Sequence, residues 1–434
     1  MSDAAAPSAP VLSSEGEAPG DVNPFAPADA AAPATLNPFE PGFFDDPYSR
    51  YRRLREAEPV HRTAFGAWLV TRWADVHRIL RNPTTSVQEE NATLAMRRDN
   101  LAEIAPERAE RGRRAILNID PPDHTRLRRL VSKAFTPRAV ERMREQVIAQ
   151  TEALLDDVAA RGGDRMDVIA DLAFPLPFAV ISEMLGMPDQ DREQLREWSH
   201  MLTLALDPIL AIAKTEEIFE ASDRMTELVT EVVQWKRGRP DDDDLLQALI
   251  CADDGGDVLT DRELLDNVIL LYVAGHETTV NLIGNGTLAL LRDPDQRRRL
   301  IDDPSLDANA TDELLRYDSP VQFSRRIALQ PIEIGGHTVQ PGELVMTGLG
   351  AANRDPDKFG ATVDRLDLGR TDANQHVSFG SGVHHCLGAA LARLEGSVAI
   401  PRLARRFPDM ELAEEPAWNG RLILRGLDAL EVTC

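Results

Sequence analysis

The chain has 434 residues, 43% of them apolar, with 48 Lys and Arg against 72 Asp and Glu, a formal net charge of −24. Such an acidic excess argues against nucleic acid and anionic membrane surfaces as partners. No apolar run approaches the roughly 20 residues that cross a bilayer. The first basic residue is Arg50, so the N-terminus is not expected to be a signal peptide. The three cysteines, Cys251, Cys386 and Cys434, are too sparse and too odd in number for a disulfide framework, which points to a reducing cytoplasm.

Residues 1–36 are rich in Ala, Pro and Ser and poor in large apolar side chains. They cannot bury enough surface to offset ordering and are expected to be disordered, with one folded domain over 37–434. A near-repeat, Asn23-Pro24-Phe25-Ala26-Pro27 and Asn37-Pro38-Phe39-Glu40-Pro41, straddles that boundary. It reads as a Pro-rich entry to the fold, or alternatively as a docking peptide. A helix is predicted over 46–56, a hairpin over 60–71 turning at Gly66, and a helix over 73–81 stopped by Asn82-Pro83. A long polar connection fills 87–119.

Asp120-Pro121-Pro122-Asp123 then opens a helix, proline being well placed in a first turn. His124 and Arg128 stand at i, i+4 on one face. Two donors on one face suit an anionic group, and arginine can grip a carboxylate with two bonds. Arg126, Arg129, Lys133, Arg138 and Arg142 make this segment locally basic on an acidic chain.

Residues 164–235 hold several amphipathic stretches, broken at Phe174-Pro175-Leu176-Pro177-Phe178. An apolar run over 201–210 is interrupted by Asp207-Pro208. The acidic run 241–244 reads as a linker. Thr260 and Glu263 form a capping-box pattern. They open the longest predicted helix, 261–291, ended by Asp293-Pro294; at about 1.5 Å per residue it spans about 45 Å. Residues 268–274 are apolar all round, so this helix should be buried.

Inside it sits Ala274-Gly275-His276-Glu277-Thr278-Thr279. Buried Gly, Glu and Thr are costly in a core helix unless they serve a purpose. A threonine hydroxyl can bond a main-chain carbonyl and open the helix ladder, and glycine leaves room for a small ligand. A zinc-protease reading of His276-Glu277 fails, because Val280 stands where the second histidine would be. His276 is expected to pack or hydrogen-bond. Glu313 and Arg316 pair at i, i+3. Short strands are predicted at 320–323, over 332–345 with turns at Gly335-Gly336 and Pro341-Gly342, and over 421–432, where residues 422–424 are expected to touch substrate.

The stretch that organises the chain is Phe379-Gly380-Ser381-Gly382-Val383-His384-His385-Cys386-Leu387-Gly388. It holds one cysteine among glycines, directly before a helical run at 389–394. Glycine permits positive φ and close approach to a flat group. A helix N-terminus favours thiolate over thiol. Such a thiolate can ligate one metal axially, and it lacks the partners of a tetrahedral zinc site.

Phe379, Gly380, Gly382, His384, Cys386 and Gly388 match FGxGxHxCxG at every fixed position, and the chain resembles the cytochrome P450 family of the soluble bacterial type from about residue 37 onward. The resemblance implies a mainly α fold with small β-sheets, a triangular prism holding haem between the long central helix and the cysteine-loop helix. It implies Cys386 as the iron ligand of haem b (iron protoporphyrin IX). His124, Arg128 and Arg326 are implied as propionate binders, with Arg325 beside Arg326 as an alternative register, and Ala274, Gly275, Phe379, Gly380, His384 and Gly388 as further cofactor contacts. Glu277 and Thr278 match the acid and alcohol of the family's proton delivery during oxygen activation. Glu313, Arg316 and Arg354, the last in Ala352-Asn353-Arg354-Asp355-Pro356, match a structural triad bracing the cysteine loop. The implied activity is monooxygenation of an apolar small molecule by dioxygen, the substrate roof being formed by the run 201–210. Electrons would come from NAD(P)H through ferredoxin reductase and a ferredoxin docked on the basic helix. A cytoplasmic monomer is implied. The alternatives are a peroxide-driven peroxygenase and a non-catalytic haem sensor or carrier.

Overall fold

The structure, a computed structural model, describes residues 35–93, 111–132, 135–162, 164–187, 192–240, 242 and 244–434. Nearly all of the 1–36 stretch, the first Asn-Pro-Phe repeat, Lys133 and much of the 87–119 connection lie outside the described residues. Leu36 is buried in a cluster with Phe43, Tyr51 and Leu54, so the folded unit takes in at least this residue of the segment expected to be disordered.

The helices, in order, are α1 Pro47–Ala57, α2 Trp73–Leu80, α3 Asp123–Ser132, α4 Pro137–Arg142, α5 Arg144–Ala160, α6 Pro175–Met184, α7 Arg192–Leu204, α8 Pro208–Ala213, α9 Thr215–Arg237, α10 Leu245–Ile250, α11 Asp261–Leu291, α12 Pro294–Asp302, α13 Asp307–Tyr317, α14 Leu349–Asn353, α15 Pro356–Phe359 and α16 Ala389–Arg406. The strands are β1 Val60–Arg62, β2 Trp68–Val70, β3 Thr85–Ser86, β4 Arg165–Asp167, β5 Phe323–Ala328, β6 Ile332–Ile334, β7 His337–Val339, β8 Leu344–Gly348, β9 Glu411–Leu412 and β10 Glu431–Thr433. They form a five-stranded sheet in the order β1-β2-β8-β5-β3, a three-stranded sheet β4-β10-β9 and a β6-β7 hairpin. The fold is therefore mainly α with small sheets. No helix among the described residues is long and apolar enough to cross a membrane.

The central helix α11 has the predicted bounds because its ends are chemically marked. Thr260 Oγ1 accepts from Glu263 N (3.3 Å) while Glu263 Oε2 accepts from Thr260 N (3.0 Å), closing the capping box. Its second half buries Val280, Leu282, Ile283, Leu288 and Leu290 against Leu391, Leu394, Val398 and Leu403 of α16 and residues of α5 and α13. Each such side chain contributes about 1.5–3 kcal/mol on burial, which outweighs any single propensity choice in the helix. The expected break at Pro175 is milder than predicted: a π-helical turn at Ile169–Ala173 leads directly into α6, whose N1 position Pro175 occupies. Likewise Pro121 and Pro122 precede α3 rather than filling its first turn. Residues 421–432 are mostly irregular, with single pairings Val321–Leu424 and Trp418–Leu427 before β10.

The brace beneath the cysteine loop differs in one member from the expected triad. Glu313 and Arg316 have side chains at 0% exposure and meet twice, Nε–Oε2 at 2.7 Å and Nη2–Oε1 at 2.8 Å. Arg316 also donates to the carbonyls of Asn353 (3.0 Å) and Val363 (2.9 Å). The second guanidinium on Glu313 is Arg370, Nε at 3.2 Å, and the Asp367 N–H adds a further bond at 2.9 Å. Arg354 does not touch Glu313. It donates to Tyr317 O at 2.8 and 2.6 Å and lies over the Tyr317 ring at 3.9 Å, clamping the C-terminus of α13. The physical reason is reach: Arg354 is held at the far end of α13, whereas Arg370 returns to its middle.

Removing Glu313 leaves two buried guanidiniums with no carboxylate. Glu313→Ala is expected to destabilise the fold by about 3–5 kcal/mol, read by urea unfolding. A loss below about 1 kcal/mol would show that the pair is not a brace.

Candidate active site

The cysteine loop is a backbone-locked turn. Gly380 N donates to Val377 O (2.8 Å), His385 N to Gly382 O (3.1 Å) and Cys386 N back to Phe379 O (2.9 Å). Gly380 and Gly382 hold φ of 68° and 72°, and a Cβ on Gly382 would come within 2.5 Å of the Leu80 carbonyl oxygen, so only glycine fits there. A Cβ on Gly388 would meet nothing within 4 Å. Cys386 itself is accessible on one side while protein surrounds it on the others. Desolvation raises its thiol above the ordinary value, and the opposing pull of the Gly388 N–H, Arg128 and Arg393 is weaker. The expectation that the helix N-terminus alone would favour thiolate is therefore corrected: in the protein by itself burial wins, and a bound cation would be needed to reverse it. Among the described residues no group of three His, Cys, Asp or Glu side chains could hold a metal ion, so a metal at Cys386 would need other donors.

Around this loop lies a set of cationic and donor groups short of anions. His124 is 2% exposed and neither ring nitrogen has a hydrogen-bond partner. Its ring packs on His384 at 4.3 Å between centroids. Arg326 is 5% exposed and donates only to Ser324 Oγ (3.2 Å) and the Arg325 carbonyl (2.7 Å). Desolvation lowers it to about 10 and pushes His384 down to about 3. In β5, Arg326 is buried while Arg325 is exposed and pairs with Glu89 at 2.6 Å. Arg128 Nη2 donates to His385 O at 2.7 Å, tying α3 to the cysteine loop. Buried donors of this kind are costly unless a carboxylate or similar anion meets them. The set fits a flat cofactor bearing two acidic side chains.

On the central helix, exposure reveals the open face. Ala274 is the one exposed residue between 270 and 278, with Leu270 and Thr278 partly exposed at i−4 and i+4 and Val273 and Gly275 partly exposed beside it. Thr278 Oγ1 donates to Ala274 O (3.0 Å), yet the helix stays α throughout, so the predicted opening of its ladder is absent. Gly275 does not supply the open space either: it faces Ile181, which a Cβ would meet at 3.5 Å. The open position is Ala274. His276 is fully buried, edge-on to Phe174 at 4.2 Å and Phe178 at 5.6 Å, and burial drops it to about 4, so it is a neutral packing residue. Glu277 is buried, and Arg421 Nη1 donates to its Oε1 at 2.9 Å. Burial alone would raise Glu277, but His200 and Arg421 outweigh it and hold the carboxyl below its ordinary range.

Residues 87–303 and 306–416 match the profile of the Cytochrome P450 family. The chain is a cytochrome P450. It is 43% identical over 407 residues to "Cytochrome P450 107B1" of Saccharopolyspora erythraea, covering 90% of this chain and 95% of that one. It is 40% identical over 400 residues to "Vitamin D(3) 25-hydroxylase" of Pseudonocardia autotrophica, covering 90% and 94%. Its fold superposes with a TM-score of 0.82, at 38% identity over 90% and 99% of the two chains, on P450BioI crystallised with an acyl carrier protein bearing hexadec-9Z-enoic acid. As a family member it is a haem-iron monooxygenase.

Four residues of this P450 site were not legible in advance. Arg370, Arg421 and His200 are ordinary polar residues in sequence and gain meaning only through contacts. Glu395 carried a faint signal, a lone acid in the apolar run 394–400 of α16. It is 1% exposed, its Oε2 has no partner, and burial raises it to about 8 with only the Thr279 hydroxyl opposing. The basic cluster, in contrast, is partly cancelled. Arg126 pairs with Glu263 and with Asp257 (3.2 Å), and Arg129 with Asp254 and with Asp257 (3.6 Å), leaving Arg138 and Arg142 exposed.

Glu395 binds its proton more tightly folded than unfolded. Its neutral form therefore stabilises the fold fully below the unfolded carboxyl range, and that stability is lost as pH rises toward about 8. Glu395→Gln is expected to gain on the wild type steadily between pH 5 and 8 in urea unfolding. Parallel pH curves for the two proteins would contradict the burial argument.

Proposed function

We propose that the protein is a haem-thiolate monooxygenase whose ligand is Cys386 and whose substrate is an apolar small molecule, hydroxylated or epoxidised. The observation that carries this is the locked Phe379–Gly388 turn, which leaves Cys386 exposed beside a buried set of donors lacking an anion. Haem, when bound, supplies the activation of dioxygen and the transfer of one oxygen atom. His124, Arg128, Arg326 and His384 would receive the carboxylates of the cofactor. Phe379, Gly380 and Gly388 would give its face close approach to the backbone, and Ala274 and Gly275 would lie along the open side of α11. Thr278 would hold a proton at Oγ1 and Glu277 would move one at its carboxylate. Glu313, Arg316 and Arg370 would keep the loop rigid.

Apolar chemistry is supported by the exposed face of α11, with Leu270 and Ala274, and by the roof α7–α8, where Leu206 and Ile212 are 47% and 71% exposed. Several structural relatives were solved with apolar ligands, including CYP267B1 with myristic acid and CYP109E1 with testosterone. Electrons are proposed to come from NAD(P)H through ferredoxin reductase and ferredoxin, to a cytoplasmic monomer. With Arg126 and Arg129 paired, the remaining docking charge among the described residues of the cluster is Arg138 and Arg142 on α4. Reversing both should slow reduction by an acidic ferredoxin at low ionic strength and change nothing at high salt; equal rates in both conditions would remove this docking site.

One pair of variants tests the reading. Cys386→Ala is expected to lose the thiolate-type spectrum of the reduced carbon monoxide complex. Thr278→Ala is expected to keep that spectrum but yield about tenfold less product per electron, the difference leaving as peroxide. A thiolate spectrum in the first or normal coupling in the second would overturn the assignment.

A further inference from the structure

Arg421 stands where three separately folded segments meet. Its guanidinium donates from Nη1 to Glu277 Oε1 (2.9 Å) and Thr203 Oγ1 (3.2 Å), and from Nη2 to His200 Nε2 (2.9 Å). Glu277 belongs to the central helix, and His200 and Thr203 to the last turns of the roof helix α7. The same Nη2 lies 3.3 Å from His200 Nδ1, and that nitrogen is 3.7 Å from Glu277 Oε2, so the imidazole sits between the guanidinium and the carboxylate. The next residue repeats the link through its backbone. Leu422 N donates to Asp207 Oδ2 at 2.7 Å, while the other oxygen of Asp207 caps α8 by accepting from Ile209 N (3.0 Å) and Leu210 N (3.2 Å). Side chain and backbone of consecutive residues thus hold both sides of the α7–α8 corner. Leu422 is buried in the cluster of Phe43, Tyr51 and Phe323. That cluster ties the C-terminal segment to the core.

We propose that Arg421 is a positioning residue: it clasps the α7–α8 corner down onto the central helix and at the same time holds Glu277 as a paired carboxylate, so that roof position and the proton-handling state of Glu277 change together. The proposal rests on the reading of Glu277 as the acid of the proton relay. Its logic is electrostatic. Side chains at 5% and 8% exposure form the Arg421–Glu277 pair, so each charge depends on the other for compensation. Arginine stays protonated and cannot pass a proton itself. A carboxylate held this way gives and takes protons only as its partner shifts, and the partner is hydrogen-bonded to the roof. Movement of the corner therefore reaches Glu277 through one guanidinium.

The test uses the haem-loaded enzyme and two independent readouts. Hydrogen–deuterium exchange over residues 194–213 reports the clasp, with α9 beyond residue 218 as the internal control. Product per electron reports Glu277. Arg421→Leu is expected to raise exchange at the corner about tenfold, equivalent to about 1.4 kcal/mol and in keeping with the loss of a charge-assisted hydrogen bond, and to lower product per electron by a similar factor. Arg421→Lys, which keeps the charge and can fold where the leucine variant does not, is expected to restore both in part. Unchanged exchange in both variants overturns the clasp. Raised exchange with normal coupling overturns the positioning of Glu277. Normal coupling in Glu277→Gln would instead remove the relay reading itself, and the positioning claim with it, whatever the exchange data give.

Discussion

A single carboxylate, Glu313, is shared by two guanidiniums inside the protein. Arg316 and Arg370 both close on it, and through them the carbonyls of Asn353, Phe359, Thr362, Val363 and Arg365 are tied to α13. Arginine is suited to this because its planar fork offers five donors, enough to grip a carboxylate and still satisfy an irregular backbone. The segment between α14 and the cysteine loop has almost no regular structure, so its backbone polar groups depend on these donors. The loop that carries Cys386 follows directly and inherits that rigidity.

The same chemistry is left open at the site. His124, Arg326, Arg128 and His384 gather around the cysteine loop without a carboxylate bound to them, although the chain as a whole carries 24 excess negative charges. Elsewhere basic residues are paired closely, as Arg126 and Arg129 are with Asp254, Asp257 and Glu263. Under the proposed function this cluster would receive the carboxylates of the cofactor. Desolvation of Arg326 and the two histidines is the free energy such an anion would relieve on binding.

Two buried glutamates, one on α11 and one on α16, show how neighbours decide protonation. Glu277 has Arg421 and His200 beside it and is held ionised. Glu395, just as deeply buried, has only a threonine hydroxyl and stays protonated up to about pH 8. Burial raises both; what separates them is the imidazole of His200 and the guanidinium of Arg421, which face Glu277 and not Glu395. Thr279 touches Glu395 while Thr278 and Glu277 precede it, so the two environments lie within one turn of the same helix.

Features set by neighbours in sequence were legible from the residues alone. The capping box of Thr260 and Glu263, the length of α11, the proline and aspartate stops and the glycine turn around Cys386 depend on hydrogen bonds and φ values only a few residues apart. They would be similar in any fold that kept those residues helical or turned. The pairing of distant residues was not legible. Arg370 rather than Arg354 completes the brace, Ala274 rather than Gly275 opens the helix face, Leu422 is anchored in the core, and Arg421 meets Glu277 from 144 residues away. Each of these depends on which side chain packing brings within about 3 Å of a buried charge. A sequence fixes the inventory of charges and the local turns; only the folded chain decides which charge answers which, because burial makes an unanswered one too costly to leave to chance.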